Sequence, residues 1–399
     1  MDGIEEVLTR GVEKIYPSKE ELEKVLRSGK KIRLYQGFDP SMPNLHLGNL
    51  VGILKLKQFQ DLGHEAIFLV GDFTGMIGDP TDKTSVRSQL TRKQVLENSK
   101  NWKEQAGKIL RFSGDNPAKF LYNSQWLAKL SFAQLLNLSH QLTYQQVIKR
   151  DMFKKREKEG RDIYLHEFLY PLMQGYDSVA MDVDLEIGGS DQMFNMLVGR
   201  DLMRKLKGKE KFVLTTKLLV DSKGEKVGKT AGNALFLDAS ANDMYGGIMS
   251  FPDEAIIPGF ELLTQLPMEE IKNDEKILKE GKNPMILKKK LAFEIVKMLY
   301  SEKEAKKAQE EFERVFQKGK APIYHILIYD IKSGPKNIVD LLVNSELAPS
   351  KSEAKRLIEQ GAVEIDKQVI RDTQHVIRVK DGMIIRAGKR KFLKISANQ

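Results

Sequence analysis

Two short segments carry the residue types that polyphosphate chemistry requires. The first is His46-Leu47-Gly48-Asn49, just after Asp39-Pro40-Ser41-Met42-Pro43-Asn44 and at the head of a run with helical spacing. The first turn of a helix presents unpaired N–H groups and a partial positive charge, which suits phosphate. Gly48 would let a nucleotide approach the backbone closely, and His46 could donate a hydrogen bond to phosphate oxygens that gain charge as a bond breaks. The second is Lys226-Val227-Gly228-Lys229-Thr230, preceded by Asp221-Ser222-Lys223-Gly224-Glu225. Lys223, Lys226 and Lys229 on a glycine-containing loop suit a mobile clamp on a polyphosphate. A Walker A loop is excluded, because that pattern needs a glycine at position 223, which is lysine. Taken singly, the segments also fit a capping histidine and a charged surface turn.

These residues need a scaffold, and the surrounding pattern supplies one. Ile32 to Phe38 reads as a strand, and Leu47, Leu50, Val51 and Leu54 fall at helical spacing in a segment ending at Gly63. A second buried strand, Ala66 to Gly71, completes a βαβ unit and predicts a doubly wound, Rossmann-like parallel sheet in an α/β fold. From about Ser88 to Gly160 the pattern turns helical and charged, which predicts a helical insertion. The sheet pattern resumes at Val183 to Ile187, running into Gly188-Gly189-Ser190-Asp191, with further strands expected at Phe212 to Leu214 and Lys217 to Val220.

Beyond Gly232 the chain reads as helical to about Phe316, and Gly319 to Pro335 reads as a linker. The last part shows helical stretches at Asn337 to Asn344 and Ser350 to Gln360. Ser350 and Glu353 have capping-box spacing, and Gly361 is placed to stop the second helix. A hairpin is expected across Ala387-Gly388-Lys389. The expected domains are 1–231, catalytic, with its insertion at about 88–165; 232–320, helical; a linker at 321–335; and 336–399, a small α+β RNA-binding domain.

Composition narrows the function classes. The chain has 399 residues, 41% hydrophobic and 30% charged, and no cysteine. Thiolate catalysis, disulfides and cysteine-based zinc sites are thereby excluded. No apolar run approaches the ~20 residues that cross a bilayer, and the amphipathic N-terminal segment resembles neither a signal nor a transit peptide. The expectation is a cytoplasmic protein with no membrane partner. Net charge is +10, and residues 331–399 hold 14 Lys/Arg against 8 Asp/Glu. That basic tail on a nearly balanced body points to a polyanion, most simply nucleic acid, although a solvated lysine-rich surface has the same composition.

Together the two signature segments resemble the paired "HIGH" and "KMSKS" motifs of class I aminoacyl-tRNA synthetases. The resemblance narrows to the bacterial-type tyrosyl-tRNA synthetases through Tyr35-Gln36-Gly37-Phe38-Asp39-Pro40, Gly71-Asp72-Phe73-Thr74-Gly75-Met76-Ile77-Gly78-Asp79-Pro80, Tyr170-Pro171-Leu172-Met173-Gln174-Gly175-Tyr176-Asp177 and Ile187-Gly188-Gly189-Ser190-Asp191-Gln192. In the tail, the segments Ser350 to Ile358, Gly361-Ala362-Val363 and Gly388 to Phe392 are similar to the ribosomal-protein-like RNA-binding domain that these enzymes carry. Asn49 stands where many relatives have a second histidine; it donates a hydrogen bond but carries no charge. Val227 replaces a commoner Met or Phe.

The resemblance implies roles residue by residue. Tyr35 and Asp177 would hold the hydroxyl of a substrate tyrosine, a pairing that leaves buried polar groups unmatched when phenylalanine enters; the tyrosine enzymes themselves illustrate this effect, and no editing domain is needed. Asp79, Tyr170 and Gln174 would receive the substrate ammonium, with Gln192 beside them; Tyr176 is left as a core aromatic. Asp39, Gly48, Gly189, Asp191 and Gln192 would lie against the adenosine of ATP. Ser41, His46 and Asn49 would face the phosphates, and Lys83, Arg87, Lys226, Lys229 and Thr230 would gather round the departing pyrophosphate. Lys351, Lys355, Arg356, Lys389, Arg390 and Lys391 would meet tRNA-Tyr through its backbone.

ATP is then a substrate, accompanied by Mg²⁺ with no permanent metal site, and the enzyme works as a homodimer joined through the insertion. Two alternatives remain open. A tryptophanyl-tRNA synthetase shares the fold, but Tyr35 with Asp177, the longer chain and the basic tail favour tyrosine. An inactive synthetase-like RNA-binding protein would have lost the phosphate-handling residues, and His46, Lys226 and Lys229 are all present.

Overall fold

The computed structural model describes residues 2–81, 89–221, 224, 226–227, 234–317, 326–332, 334–366, 368–388 and 391–398. Six strands form the main sheet: β1 (Val12–Tyr16), β2 (Arg33–Phe38), β3 (Glu65–Val70), β4 (Lys119–Tyr122), β5 (Leu185–Gly189) and β6 (Phe212–Thr216), in the order β1-β6-β5-β2-β3-β4. All neighbouring pairs are parallel except β1 with β6. Parallel strands covered on both faces need continuous apolar runs rather than alternation, and β3 meets this with Ala66, Ile67, Phe68, Leu69 and Val70 all buried.

The helix Leu47–Asp61 connects β2 to β3. Its buried residues run nearly all the way round, including Leu50, Val51, Ile53, Leu54, Leu56 and Phe59. One side packs on the sheet and the other on the helix Ile256–Leu263, so the predicted βαβ unit is present and doubly covered.

Two elements depart from the sequence reading. The segment expected to be a helical insertion contains helices such as Phe132–Ser139, Tyr144–Ile148 and Asp151–Lys158, but it also supplies β4 to the sheet edge. Lys119-Phe120-Leu121-Tyr122 is too short to show a period against its charged flanks, and pairing with β3 decides its state. Conversely, Lys217 to Val220 does not extend the sheet. Val220 bridges Lys226, and Val227 donates to the Leu219 carbonyl at 2.9 Å, so this stretch folds back on itself.

Among the described residues the chain divides into two compact units, 1–305 and 306–399. In the second, β7 (Ile326–Lys332), β8 (Gly334–Asn337), β9 (Val363–Ile365), β10 (Gln368–Ile370), β11 (Val376–Val379), β12 (Ile384–Ala387) and β13 (Lys391–Asn398) form a sheet in the order β10-β9-β12-β13-β7 and a separate β11-β8 pair. β7 and β8 occupy part of the stretch read as a linker. Its Pro322 and Gly334-Pro335 look like chain breakers, yet the run Ile326 to Ile331 between them is rich in strand formers and pairs with β13.

The two helices of this unit match expectation. Asn337 caps Ile338–Asn344, and Ser350 caps Lys351–Glu359 by accepting from the Glu353 N–H at 3.2 Å. Gly361, at φ +66°, ends the second helix in the left-handed conformation that favours glycine. β12 and β13 pair as the predicted hairpin.

Candidate active site

A cavity of about 280 Å³ opens at the carboxyl ends of β2 and β5, where the strand order reverses direction and open α/β sheets place their ligands. Every described residue that the sequence nominated for tyrosine or ATP lines it: Tyr35, Asp39, Ser41, His46, Gly48, Asn49, Asp79, Tyr170, Gln174, Asp177, Gly189, Asp191, Gln192 and Lys226. Lys83, Arg87, Lys229 and Thr230 lie outside the described residues.

Leu47 donates to the Leu235 carbonyl at 2.9 Å, and Leu237 donates to that of Leu45 at 2.7 Å, so the segment after the lysine loop is laced to the start of the signature helix. His46 is buried and caps that helix. Asn49 supports the same turn, since its Oδ1 accepts from the His46 N–H at 3.0 Å and so satisfies a donor at the helix start. A Cβ at position 48 would sit 2.9 Å from the His46 ring, so Gly48 makes room for the histidine as well as for any nucleotide.

The helix Leu165–Met181 delivers Tyr170, Gln174 and Asp177 at spacings of four and three, one face of a helix. Tyr170 donates from its hydroxyl to Asp39 Oδ2 at 2.7 Å, while Thr74 donates to Asp39 Oδ1 at 2.7 Å. Burial and the nearby Asp39 carboxylate push the Tyr170 phenol well above its usual range. Asp177 is also buried; Trp126 Nε1 and Asn123 Nδ2 donate to its two oxygens at 2.7 and 3.2 Å. Burial pushes its carboxyl well up, against the opposing effect of these two donors. Tyr176 instead packs into the apolar cluster around Leu172, Val198 and Leu202.

Beneath Tyr35 and Gln174 lies a buried polar cluster that sequence patterns did not indicate. Lys211 and Glu186 form an ion pair; Lys211 Nζ also donates to Ser178 Oγ at 2.9 Å, and Ser178 donates to Glu186 Oε2 at 3.3 Å. Burial pushes the Lys211 ammonium down, partly offset by Glu186. The Tyr35 hydroxyl lies 2.9 Å from Ser178 Oγ and 3.4 Å from the Gln174 main-chain carbonyl, to which it can donate, and its oxygen keeps acceptor capacity. Gln174 Nε2 donates to Glu186 Oε1 at 3.0 Å, which leaves its carbonyl oxygen for a donor from the cavity. Burial, then the charges of Glu186 and Asp177, push the Tyr35 phenol well up.

At the mouth, Lys226 forms an ion pair with Asp191 at 2.7 Å. In the second unit, Lys351, Lys355 and Arg356 are exposed along the helix Lys351–Glu359, whose inner face buries Ala354 and Ile358. Lys351 pairs with Asp340 at 2.8 Å and Arg356 with Glu353 at 2.6 Å. Lys389, Arg390 and the Lys391 side chain lie outside the described residues.

Comparison with known proteins agrees with this geometry. The family described as "tRNA synthetases class I (W and Y)" matches residues 27–317, and "Tyrosine--tRNA ligase SYY-like C-terminal domain" matches residues 312–395. The chain is 43% identical to the tyrosine–tRNA ligase of Thermotoga maritima over 98% of its own length and 97% of that protein. It is 41% identical to that of Moorella thermoacetica over 98% and 94%. A solved structure of a C-terminally truncated mitochondrial tyrosyl-tRNA synthetase from Aspergillus nidulans has a TM-score of 0.67 at 23% identity, covering 79% of this chain and 94% of that one, a likeness of fold. Both domains and the near full-length identity converge: the chain belongs to the tyrosine–tRNA ligases, a family of class I aminoacyl-tRNA synthetases.

Proposed function

We propose that this chain activates L-tyrosine with ATP and transfers the tyrosyl group to the 3′ end of tRNA-Tyr. The observation that carries the proposal is one cavity that joins a buried phenol-reading pair, Tyr35 and Asp177, to a helix start bearing His46. An oxygen of the tyrosine carboxylate attacks the α-phosphorus of ATP, and the bond to the pyrophosphate oxygen breaks. Tyrosyl-adenylate forms, and the terminal ribose hydroxyl of tRNA then takes the tyrosyl group and releases AMP. No enzyme group is acylated, so catalysis consists of positioning and of stabilising negative charge as it develops.

Tyr35 and Asp177 hold the phenol hydroxyl, and Asp79, Tyr170 and Gln174 receive the ammonium, with Gln192 beside them. Asp39, Gly48, Gly189, Asp191 and Gln192 contact the adenosine. Ser41, His46 and Asn49 line the α-phosphate, and Lys83, Arg87, Lys226, Lys229 and Thr230 attend the pyrophosphate. Lys226 exchanges Asp191 for phosphate, which frees that carboxylate to accept from the ribose hydroxyls. Among the described residues no group of three or more histidine or acidic side chains is placed to hold a metal ion. Mg²⁺ enters with ATP as part of the substrate.

The chain works as a homodimer. Support comes from Phe132 (75% exposed), Leu165 (84% exposed), Leu136, Tyr144 and Tyr164, large apolar side chains exposed within residues 132–165. Among the described residues no helix is long and apolar enough to cross a membrane, and the cytoplasm is the compartment that fits a tRNA substrate and a cysteine-free chain. The direct test is ATP-dependent charging of tRNA-Tyr with labelled tyrosine. Accumulation of tyrosyl-tRNA is expected; a folded protein that binds tRNA but leaves it uncharged would overturn the proposal.

A further inference from the structure

Arg150 stands between the helices Tyr144–Ile148 and Asp151–Lys158, in the segment that leads away from the sheet, and no motif marks it. Its guanidinium nevertheless touches Thr81, which lines the cavity beside Asp79. Arg150 Nη2 donates to Thr81 Oγ1 at 2.8 Å, and Thr81 Oγ1 donates to Asp79 Oδ1 at 2.7 Å. Arg150 Nη1 donates to Asn195 Oδ1 at 3.1 Å, Asn195 Nδ2 to Gln192 Oε1 at 3.1 Å, and Gln192 Nε2 to Asp79 Oδ2 at 2.6 Å. The bonds close a ring through Arg150, Thr81, Asp79, Gln192 and Asn195. The guanidinium also lies 4.7 Å from the centre of the Phe194 ring, which fixes its orientation.

A ring of this kind has a direction, and its donor-only and acceptor-only members, Arg150 and Asp79, fix it from opposite ends. Arginine has donors and no acceptor, and an ionised aspartate has acceptors and no donor; threonine, asparagine and glutamine have both. Because Arg150 donates to Thr81, the single hydroxyl hydrogen of Thr81 is left for Asp79. Because Arg150 donates to the Asn195 carbonyl, the Asn195 amide turns its N–H₂ to Gln192, and Gln192 in turn directs its own N–H₂ to Asp79. Asp79 Oδ1 also accepts from the Thr81 backbone N–H at 2.9 Å, so Oδ2, with its single ring hydrogen bond, is the oxygen that keeps a lone pair for another donor. Without Arg150, the Asn195 carbonyl and the Thr81 hydroxyl oxygen lose their donor, and Asp79 alone is left to hold Gln192 and Thr81 in this orientation. A lysine presents a compact ammonium rather than a planar fork and would not span both acceptors in the same geometry.

We propose that Arg150 is a positioning residue for the ammonium site, anchoring the far side of the ring that holds Asp79 ready for the substrate amine. The proposal rests on the assignment of Asp79 as the receiver of that ammonium.

The test uses the full-length chain without tRNA, so that any contact of Arg150 with nucleic acid does not enter. Dissociation constants are measured for tyrosine and for desamino-tyrosine, which lacks the ammonium, with wild type, Arg150→Met, Arg150→Lys and Asp79→Asn. Arg150→Met is expected to weaken tyrosine about tenfold, the scale of one charge-assisted hydrogen bond, and to leave desamino-tyrosine within about twofold. Arg150→Lys is expected to fall between wild type and Arg150→Met. Equal weakening of both ligands would mean a merely structural role and would overturn the proposal. So would unchanged tyrosine binding in Arg150→Met while Asp79→Asn loses it. If Asp79→Asn leaves the ratio of the two ligands unchanged, the ammonium assignment fails and the proposal falls with it.

Discussion

At the level of single residues, the part of the cavity lined by Tyr35, Gln174 and Asp177 is backed by groups that no sequence motif marks. Lys211 and Glu186 are 0% and 1% exposed, and removing one partner of such a pair leaves a buried charge uncompensated. The pair stays because it orients two neighbours, Tyr35 through Ser178 and Gln174 directly. Tyr35→Phe should therefore lower kcat/KM for tyrosine about fivefold to tenfold, the loss of one neutral hydrogen bond. The phenylalanine value should hold or rise, because the substitution removes one of the polar groups that phenylalanine leaves unmatched. Competition between the two amino acids in pyrophosphate exchange checks this; an equal fall for both would contradict it.

Tyr35, Asp79, Tyr170, Gln174 and Asp177 were legible because they sit in contiguous motifs with a family behind them. Asn123, Trp126, Ser178, Glu186, Lys211, Arg150 and Asn195 were not. A buried ion pair formed by residues 25 apart has no local signature, and Glu186 and Lys211 look in sequence like any other charged residues.

At the level of elements, the site depends on how closely two helices cross. A Cβ at Gly175 of the helix Leu165–Met181 would lie 3.2 Å from the Gly199 Cα of the helix Met193–Lys207. A Cβ at Gly199 would meet Lys211 Nζ at 2.6 Å and Ser178 Oγ at 3.0 Å. Gly199→Ala should cost about 1–3 kcal/mol of stability by overpacking. It should also raise the KM for tyrosine, since the methyl pushes on the cluster that orients Tyr35 and Gln174. Thermal melts and exchange kinetics test the two parts separately; a lower melting temperature with unchanged KM would uncouple the crossing from the pocket.

The long periodic elements, such as the helix Leu47–Asp61 and its flanking strands, could be read from apolar spacing. β4 could not, because four residues carry too little pattern, and missing it hid Asn123 and Trp126, which follow directly from its end. Lys217 to Val220 erred the other way: its apolar residues fit a strand, but Val227 and Lys226 return to pair with it.

At the level of the whole molecule, charge burial and charge display pull in opposite directions. Lys55 is buried on the signature helix and donates to the Val7 and Arg10 carbonyls at 3.0 and 2.7 Å. Burial, reinforced by Arg10, pushes its ammonium down to about 7. Between that value and the unfolded value of 10.5, the unfolded chain holds a proton that the folded chain has released. Stability from this group therefore rises with pH across the window, and the full cost of the buried charge is felt below it. The melting temperature of wild type relative to Lys55→Met should accordingly grow from about pH 7 to about pH 9; a flat or falling difference would contradict the assignment.

The exposed tail lysines have the reverse character. Replacing Lys351, Lys355 and Arg356 together by alanine should leave tyrosine-dependent exchange unchanged and weaken tRNA binding. The salt slope should become shallower by about one for each phosphate that is no longer neutralised. A normal slope would place the tRNA elsewhere.

The most direct measurement of the central claim is ATP–pyrophosphate exchange with each standard amino acid offered separately, in the presence of Mg²⁺. Exchange with tyrosine alone is the predicted result, since it requires the phosphate-handling signature and the Tyr35–Asp177 pair in one working cavity. Exchange driven by tryptophan, or none with any amino acid in a folded chain, would contradict it.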